Sequence, residues 1–428
     1  MYLKSIKLHN FRCYENLSVD FNPEFTILVG DNGAGKSALL DAVSIALGSY
    51  IAGLDGVASN SISQDDVHLK TYELGSRYDS QKQFPTEIEA ECNVDGESFT
   101  WKRGLYKEKG RTHISDARSI MNYAADLQKG IRKGDTSIIL PIIAYYGTGR
   151  LYMQKKDRTV DGNKTNFSRT TGYDTCLESA SNARMMMKWF EQMTTIQLQE
   201  GQPIPELEAV KKAMAACYAG AGNSSDHVHF NYMVKSKEIE ISYLDHGVPQ
   251  KMPMKMLSDG VRSTISMVAD IAYRMAVLNP QLFDSVLENT PGVVLIDELD
   301  MHLHPSWQAR IMDDLRHIFP KVQFIVTTHS PSVLTNVKKE HILLLKNHEI
   351  FNPINTTYGR KIESILSEIM DVNVRPKEVR DLIENFYKAL TDEDYSKAKE
   401  LLNNLISLLG EEDSDVVEAK VSYSLESE

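Results

Sequence analysis

The residues best suited to chemistry form one short run, Gly30-Asp31-Asn32-Gly33-Ala34-Gly35-Lys36-Ser37. Its spacing is G-x-x-x-x-G-K-[ST], which suits a loop that wraps phosphate groups. Glycines let backbone N–H groups turn inward on anionic oxygens, and a following helix N-terminus adds partial positive charge. Asn32, Gly33, Ala34 and Gly35 would supply that cradle. Lys36 has the reach to meet the β- and γ-phosphates of a nucleotide, and the Ser37 hydroxyl suits a Mg²⁺ ion.

A second group of chemical residues lies in the far half of the chain. Val293-Val294-Leu295-Ile296 is a bare apolar run that ends in Asp297-Glu298. A carboxylate at Asp297 would hold the ion or its water, and Glu298 would orient or deprotonate an attacking water. Phe324-Ile325-Val326-Thr327-Thr328-His329-Ser330 is another such run, ending in a histidine suited to sensing the γ-phosphate. Leu257-Ser258-Asp259-Gly260 opens a helical pattern at Val261, where Ser258 and Gly260 would form another anion site. Two loops for the same phosphates imply a composite site, with Ser258 of one protomer facing Lys36 of another. His302 and His304 make an H-x-H pair without a third ligand nearby, so a zinc site is not inferred. Arg150 ends the glycine turn Gly147-Thr148-Gly149, and both a nucleotide or lid contact and a surface ion pair stay open for it.

These residues need strands and helices to present them. Phe25-Thr26-Ile27-Leu28-Val29 reads as a buried strand leading into the loop. Leu39, Leu40, Val43, Ala46 and Leu47 recur at helical spacing after it, with Gly48 as the expected stop. Alternation at Leu3, Ile6 and Leu8, then at Leu17, Val19 and Phe21, predicts two strands feeding the loop strand. Glu87–Val94 and Ser98–Trp101, joined at Asp95-Gly96, predict a hairpin in a small antiparallel sheet. Asn60–Lys70 reads as a polar loop, residues 112–134 as a helix and Ile138–Tyr145 as a β-rich run. Residues 151–172 read as a long loop or lid. Helices are expected at Leu177–Gln197, Pro205–Ala219, Val261–Leu278 and Pro305–Ile318. Strands are expected at Val228–Met233 and Ile239–Leu244, with a turn at Asp245-His246-Gly247. From Lys361 the chain is helical, and its acidic end, Glu411–Glu428, is expected to fray.

Bulk properties narrow the class. The 428 residues are 42% hydrophobic and 25% charged, as in a soluble globular chain. No apolar run is long enough for a bilayer, and Met1–Asn10 lacks a signal-peptide core, so a cytoplasmic protein is expected. Cys13, Cys92, Cys176 and Cys217 are widely spaced, which suits neither a zinc site nor a disulfide framework. A net charge of −12 argues against uniform attraction to nucleic acid. Lys102, Arg103, Lys107, Lys109, Arg111, Lys129, Arg132 and Lys133 would make a local basic face or simply solvated surface.

Phosphate loop, LSDG, apolar strand with Asp-Glu and a strand ending Thr-His-Ser resemble, in that order, the motifs of ABC-type ATPase heads. Asn10-Phe11-Arg12 near the start is similar to the RecF/SMC/OLD-like group. The run Ile296–Gln308, with Tyr145–Arg150, looks closer to PtuA-like ATPases of Septu and retron phage-defence systems. The resemblance spans nearly the whole chain. It implies an α/β P-loop ABC-type ATPase head: a mixed sheet with helices, an antiparallel β side sheet, a helical insertion and a helical tail. Segment 1–150 would be the N-terminal half of the head, 151–225 a lid loop and helical insertion, and 226–360 the C-terminal half. Segment 361–428 would be a helical tail for oligomerisation or partner binding.

The resemblance also implies ATP and Mg²⁺ as cofactors, low-turnover hydrolysis, and nucleotide-dependent dimers or larger homo-oligomers. Asp300 would sit at the dimer interface, His329 would be the switch histidine, and Gln64 is the candidate for the metal-side glutamine. No long heptad run separates Ser37 from Ser258, so an SMC arm is not expected, nor is an OLD-type nuclease after His329. The implied partner is a separate HNH-type nuclease resembling PtuB. Alternatives are a RecF-like repair ATPase that binds DNA itself, and a nucleotide-locked scaffold with negligible turnover.

Overall fold

The computed structural model describes residues 1–75, 77–151, 168–178, 183–245, 247–373 and 375–426. Strands β1 (Tyr2–Phe11) and β2 (Tyr14–Asp20) precede β3 (Phe25–Gly30), which enters helix α1 (Lys36–Ala52). The hairpin β4 (Leu69–Leu74) and β5 (Arg77–Lys82) comes before β6 (Thr86–Val94) and β7 (Glu97–Leu105). Helix α2 (Arg118–Arg132), strand β8 (Ile142–Tyr146), α3 (Ala183–Glu200) and α4 (Pro205–Ala219) follow. The strands β9 (His229–Met233), β10 (Glu238–Asp245) and β11 (Val248–Pro253) form a meander before the long helix α5 (Asp259–Leu278). Next come α6 (Val286–Asn289), β12 (Gly292–Ile296), α7 (Pro305–Gln308), α8 (Ile311–Ile318) and β13 (Val322–Thr327). After α9 (Pro331–Leu334), β14 (Ile342–Lys346) and β15 (Glu349–Phe351), the chain ends in α10 (Ile362–Glu368), α11 (Lys377–Thr391), α12 (Tyr395–Leu409) and α13 (Ser414–Glu426). Two compact units result, Met1–Ile362 and Glu363–Glu428.

The first unit is built on a six-stranded mixed sheet in the order β15-β14-β3-β13-β12-β8. β14, β3, β13, β12 and β8 run parallel, and β15 is antiparallel to β14. Every residue of β8, β12 and β13 is buried, which explains their largely apolar sequences; the buried Gln323 of β13 is satisfied by the Leu3 backbone. Because the strands are parallel, the ends of β3, β13, β12 and β8 emerge on one edge, where α/β sheets bind ligands. Beside it lies an antiparallel sheet in the order β2-β1-β6-β7. β6 alternates buried and half-buried residues along its whole length, as a sheet with one covered face must. Trp101 and Arg103 on β7 reach α1, donating to the carbonyls of Ala46 and Ile45 at 3.1 and 2.8 Å.

β1 and β2 form the expected pair of strands leading into β3, and they lie in the antiparallel sheet. Several other elements depart from the sequence reading. Helix α1 passes through Gly48, where a Cβ would lie 3.2 Å from the Arg103 guanidinium and 3.4 Å from the Asn60 nitrogen. The glycine makes room for packing, and burial of Tyr50 and Ile51 beyond it outweighs a propensity cost of about 1 kcal/mol. The polar loop expected over Asn60–Lys70 gives way at Leu69 to the hairpin β4–β5, whose two strands are largely exposed and so lack any apolar alternation. The helix expected over Pro305–Ile318 breaks at 309–310, where Arg310 stacks on Trp307 at 4.1 Å and donates to the carbonyls of Cys217 and Tyr218. The acidic tail is helical through Glu426. Val416 and Ala419 of α13 pack with Phe386, Leu390, Ala398 and Leu405, and Arg375 pairs with Asp413 at 2.7 Å. Of the lid, residues 152–167 lie outside the described residues; 169–173 form a 3₁₀ turn with Thr170, Gly172 and Tyr173 buried.

Strand β12 starts at Gly292 with φ of +153°, and a Cβ there would overlap the backbone of Ile142 on β8. Gly292→Ala therefore costs about 3 kcal/mol. Urea unfolding reads this as a lower midpoint at constant slope; an unchanged midpoint contradicts the close pairing.

Candidate functional site

The edge where β3, β13 and β12 end holds a cleft of about 330 Å³. Asn32, Gly33, Gly35, Lys36 and Ser37 line it from the glycine loop, and Asp297, Glu298 and His329 line it from the ends of β12 and β13. The structure thus assembles residues that lie far apart in sequence. Gly33 and Gly35 have φ of +84° and +104°, and a Cβ at Gly35 would overlap the Tyr14 ring, so both angle and space demand glycine there. Ala34 completes the loop without lining the cleft.

Lys36 is 7% exposed and folds back on its own loop, donating to the carbonyls of Gly30 at 2.7 Å and Asp31 at 3.0 Å. Burial lowers its pKa, against the opposing pull of Asp297, Asp31 and Glu298. The Ser37 hydroxyl donates to Asp297 Oδ2 at 2.8 Å, while Asp297 Oδ1 accepts from the Thr327 hydroxyl at 2.6 Å. Thr328, next along, donates to Asp300 Oδ1 at 2.6 Å, and the His329 N–H approaches the same oxygen at 3.3 Å. Asp300 is therefore tied to the histidine strand and not to the cleft wall.

The LSDG residues occupy a different place. Ser258 is exposed at the N-cap of α5, and its hydroxyl does not cap the helix. Gly260 is buried against the chain after Asp300, where a Cβ would overlap the His302 carbonyl. Neither lines this cleft. Nor does Gln64, which stands in a 3₁₀ turn, accepts from Lys82 at 3.5 Å and leaves its Nε2 buried without a partner. His304 caps α7, with its Nδ1 3.3 Å from the Ser306 nitrogen. The side chain of Arg150 lies outside the described residues.

Sequence reasoning missed the other wall. Arg12 and Cys13, in the tight turn after β1, line the cleft from the antiparallel sheet. Arg12 donates through Nε to Asp66 at 2.8 Å and through Nη1 to Asp41, whose other oxygen accepts the Tyr145 hydroxyl at 2.8 Å. Burial opposes the charge on Arg12, but the two carboxylates outweigh it and raise its pKa. The signal for it was present as Asn10-Phe11-Arg12, without the pairing that brings that turn to the loop. Of the basic stretch, Arg103 is buried, with its pKa lowered to about 10 by burial, and Lys102, Lys129 and Arg132 pair with Glu87, Asp126 and Asp55, while Lys107, Lys109, Arg111 and Lys133 are exposed. Among the described residues no helix is long and apolar enough to cross a membrane.

A glycine cradle, a buried lysine, a serine–aspartate pair and a glutamate gathered at one strand edge define a P-loop nucleotide site. The chain belongs to the AAA-domain family, which matches residues 5–218, and is an ABC-type ATPase of the RecF/SMC/OLD-like group, related to PtuA. A second match, to the AAA domain described as a putative AbiEii toxin of a type IV toxin–antitoxin system, covers residues 190–335. The chain is 27% identical to the Retron Ec83 probable ATPase of Escherichia coli over 97% of its length and 85% of the relative's. It is 23% identical to the Septu protein PtuA of Bacillus mycoides over 94% of its length, spanning 50% of that protein. Among solved structures, an SMC head bound to the C-terminal winged-helix domain of ScpA is 16% identical, with a TM-score of 0.49 over 82% of this chain and 98% of that one.

If Arg12 supports an anionic ligand in this cleft, Arg12→Gln weakens nucleotide affinity about tenfold, the effect of losing one charged hydrogen bond. Titration with a fluorescent nucleotide measures this, and an unchanged affinity removes Arg12 from the site.

Proposed function

We propose that this chain binds and hydrolyses Mg-ATP, dimerises through shared nucleotide sites, and gates a separate effector nuclease in defence against phage. The contact between Ser37 and Asp297 carries the reading: two oxygen donors at 2.8 Å stand beside a buried lysine in a phosphate-sized cleft. Such hard oxygen donors fit Mg²⁺, which is held by one or two carboxylates together with substrate phosphates. Ser37 and Asp297 would hold it, and when bound the ion neutralises charge on the phosphoryl oxygens.

The protein's own residues supply the rest. N–H groups of Asn32 to Gly35 cradle the phosphates, and Lys36 turns from its loop carbonyls to the β- and γ-oxygens. Glu298 orients water and accepts its proton, while His329 hydrogen-bonds the γ-phosphate. Ser258, with its exposed hydroxyl, and Gly260 would close the site of a second protomer, with Asp300 at the seam. Gln64, which does not line the cleft, is given no part in it. Similarity to retron ATPases and PtuA supports the defence role, and an HNH-type nuclease is the proposed partner.

Glu298→Gln should bind ATP normally, lower turnover at least about a hundredfold, and accumulate as a dimer when saturated with ATP. Lys36→Ala should neither bind ATP nor dimerise. Mass measurement and phosphate release read both. A Glu298→Gln protein that stays monomeric contradicts the shared site, and undiminished turnover contradicts the role of Glu298.

A further inference from the structure

Thr327 ends β13, is fully buried, and takes no part in the phosphate, metal or water chemistry above. It nonetheless meets three consecutive residues of the segment that carries that chemistry. Its hydroxyl donates to Asp297 Oδ1 at 2.6 Å and accepts the Glu298 N–H at 2.7 Å. Its carbonyl accepts the Leu299 N–H at 2.9 Å. One hydroxyl has one proton and two lone pairs, so the two bonds it makes are compatible.

Each bond has a consequence in the cleft. Holding Oδ1 of Asp297 turns Oδ2 toward Ser37, the direction in which a cation would be bound. Glu298 has φ of +49°, a left-handed conformation that a residue with a Cβ adopts only under strain. The Glu298 and Leu299 N–H groups flank that strained residue, and both end on Thr327. The neighbouring Thr328 serves a different residue, Asp300.

We propose that Thr327 is a positioning residue: its hydroxyl fixes at once the rotamer of the metal-facing carboxylate and the backbone turn that aims Glu298 into the cleft. The proposal rests on the Mg-ATP reading of the site. Valine has the same shape without the hydroxyl, and leaves Asp297 Oδ1 and the Glu298 N–H without it. Serine keeps it.

The test compares T327V and T327S with wild type by fluorescent-ATP titration with and without Mg²⁺, by steady-state turnover, and by thermal melting. T327V should bind nucleotide without Mg²⁺ within twofold of wild type. It should need about tenfold more Mg²⁺ for half-saturation and lose about a hundredfold in kcat, as misplacing a metal ligand and a general base together implies. T327S should restore both. A lower melting temperature with unchanged Mg²⁺ requirement and kcat, or a failure of T327S to rescue, overturns the proposal. Should valine prevent folding, T327C replaces it as a volume-matched weak donor, read in the same way. If wild type shows no turnover, the hydrolysis reading fails while the Mg²⁺ requirement still decides the role of Thr327.

Discussion

The hydrogen bond between Ser37 and Asp297 joins residues 260 positions apart, and the site depends on the constraint that permits it. Ser37 opens the helix after β3, and Asp297 follows the last residue of β12, with β13 between the two strands. Thr327 pairs with Leu28 and Val326 with Ile296, so Asp297 falls one step past β12 beside Thr327, while β3 runs two residues beyond Leu28 to Gly30. Any one-residue slip would move the carboxylate to the opposite face of its strand. Because β12 and β13 are buried on both faces, apolar alternation does not set their register. The backbone ladders do, together with the buried Gln323 side chain, which bonds the Leu3 backbone at 2.7 and 2.8 Å, and they fix the distance between a hydroxyl and a carboxylate.

A second layer of contacts orients what the strands bring together. Thr327 and Thr328 reach Asp297 and Asp300 from one strand end. On β8 the consecutive residues Tyr145 and Tyr146 point to opposite faces, as neighbours in a strand must. Tyr145 donates to Asp41 of α1, which also holds Arg12, and Tyr146 donates to Asp270 of α5 at 2.7 Å. Asp270 pairs in turn with Arg274 at 2.8 Å, both side chains 7% exposed. A buried ion pair adds little net stability, since desolvation offsets attraction. Its effect here is geometric: the helix that begins at Lys36 and the helix that begins at Asp259 are anchored to the same strand.

Residues that announce themselves in sequence are those whose function fits within a contiguous stretch. The glycine loop, Asp297-Glu298 after an apolar strand, and His329 at the end of another are of this kind, and the parallel core was legible because it is largely apolar. Arg12 was not placed at the cleft, because its position depends on pairing of β1 with β6 and the turn at Cys13. Thr327 was hidden because a threonine at a strand end is ordinary until its partners are known. The hairpin β4–β5 carries no apolar face, so no period marked it. Gln64 stands out in sequence by its type and its acidic neighbours Asp65 and Asp66, neither of which carries distance. In the tail, surface charge masked the small core residues Val416 and Ala419.

Whether Ser37 and Asp297 act as one metal seat is open to direct measurement. ATP affinity would be titrated against Mg²⁺ in wild type, Ser37→Ala, Asp297→Asn and the double variant. Two ligands of one ion predict strong coupling: the double variant should lose little more Mg²⁺-dependent affinity than the worse single variant. Losses that multiply, as for independent sites, would contradict a shared seat and with it the reading of the cleft.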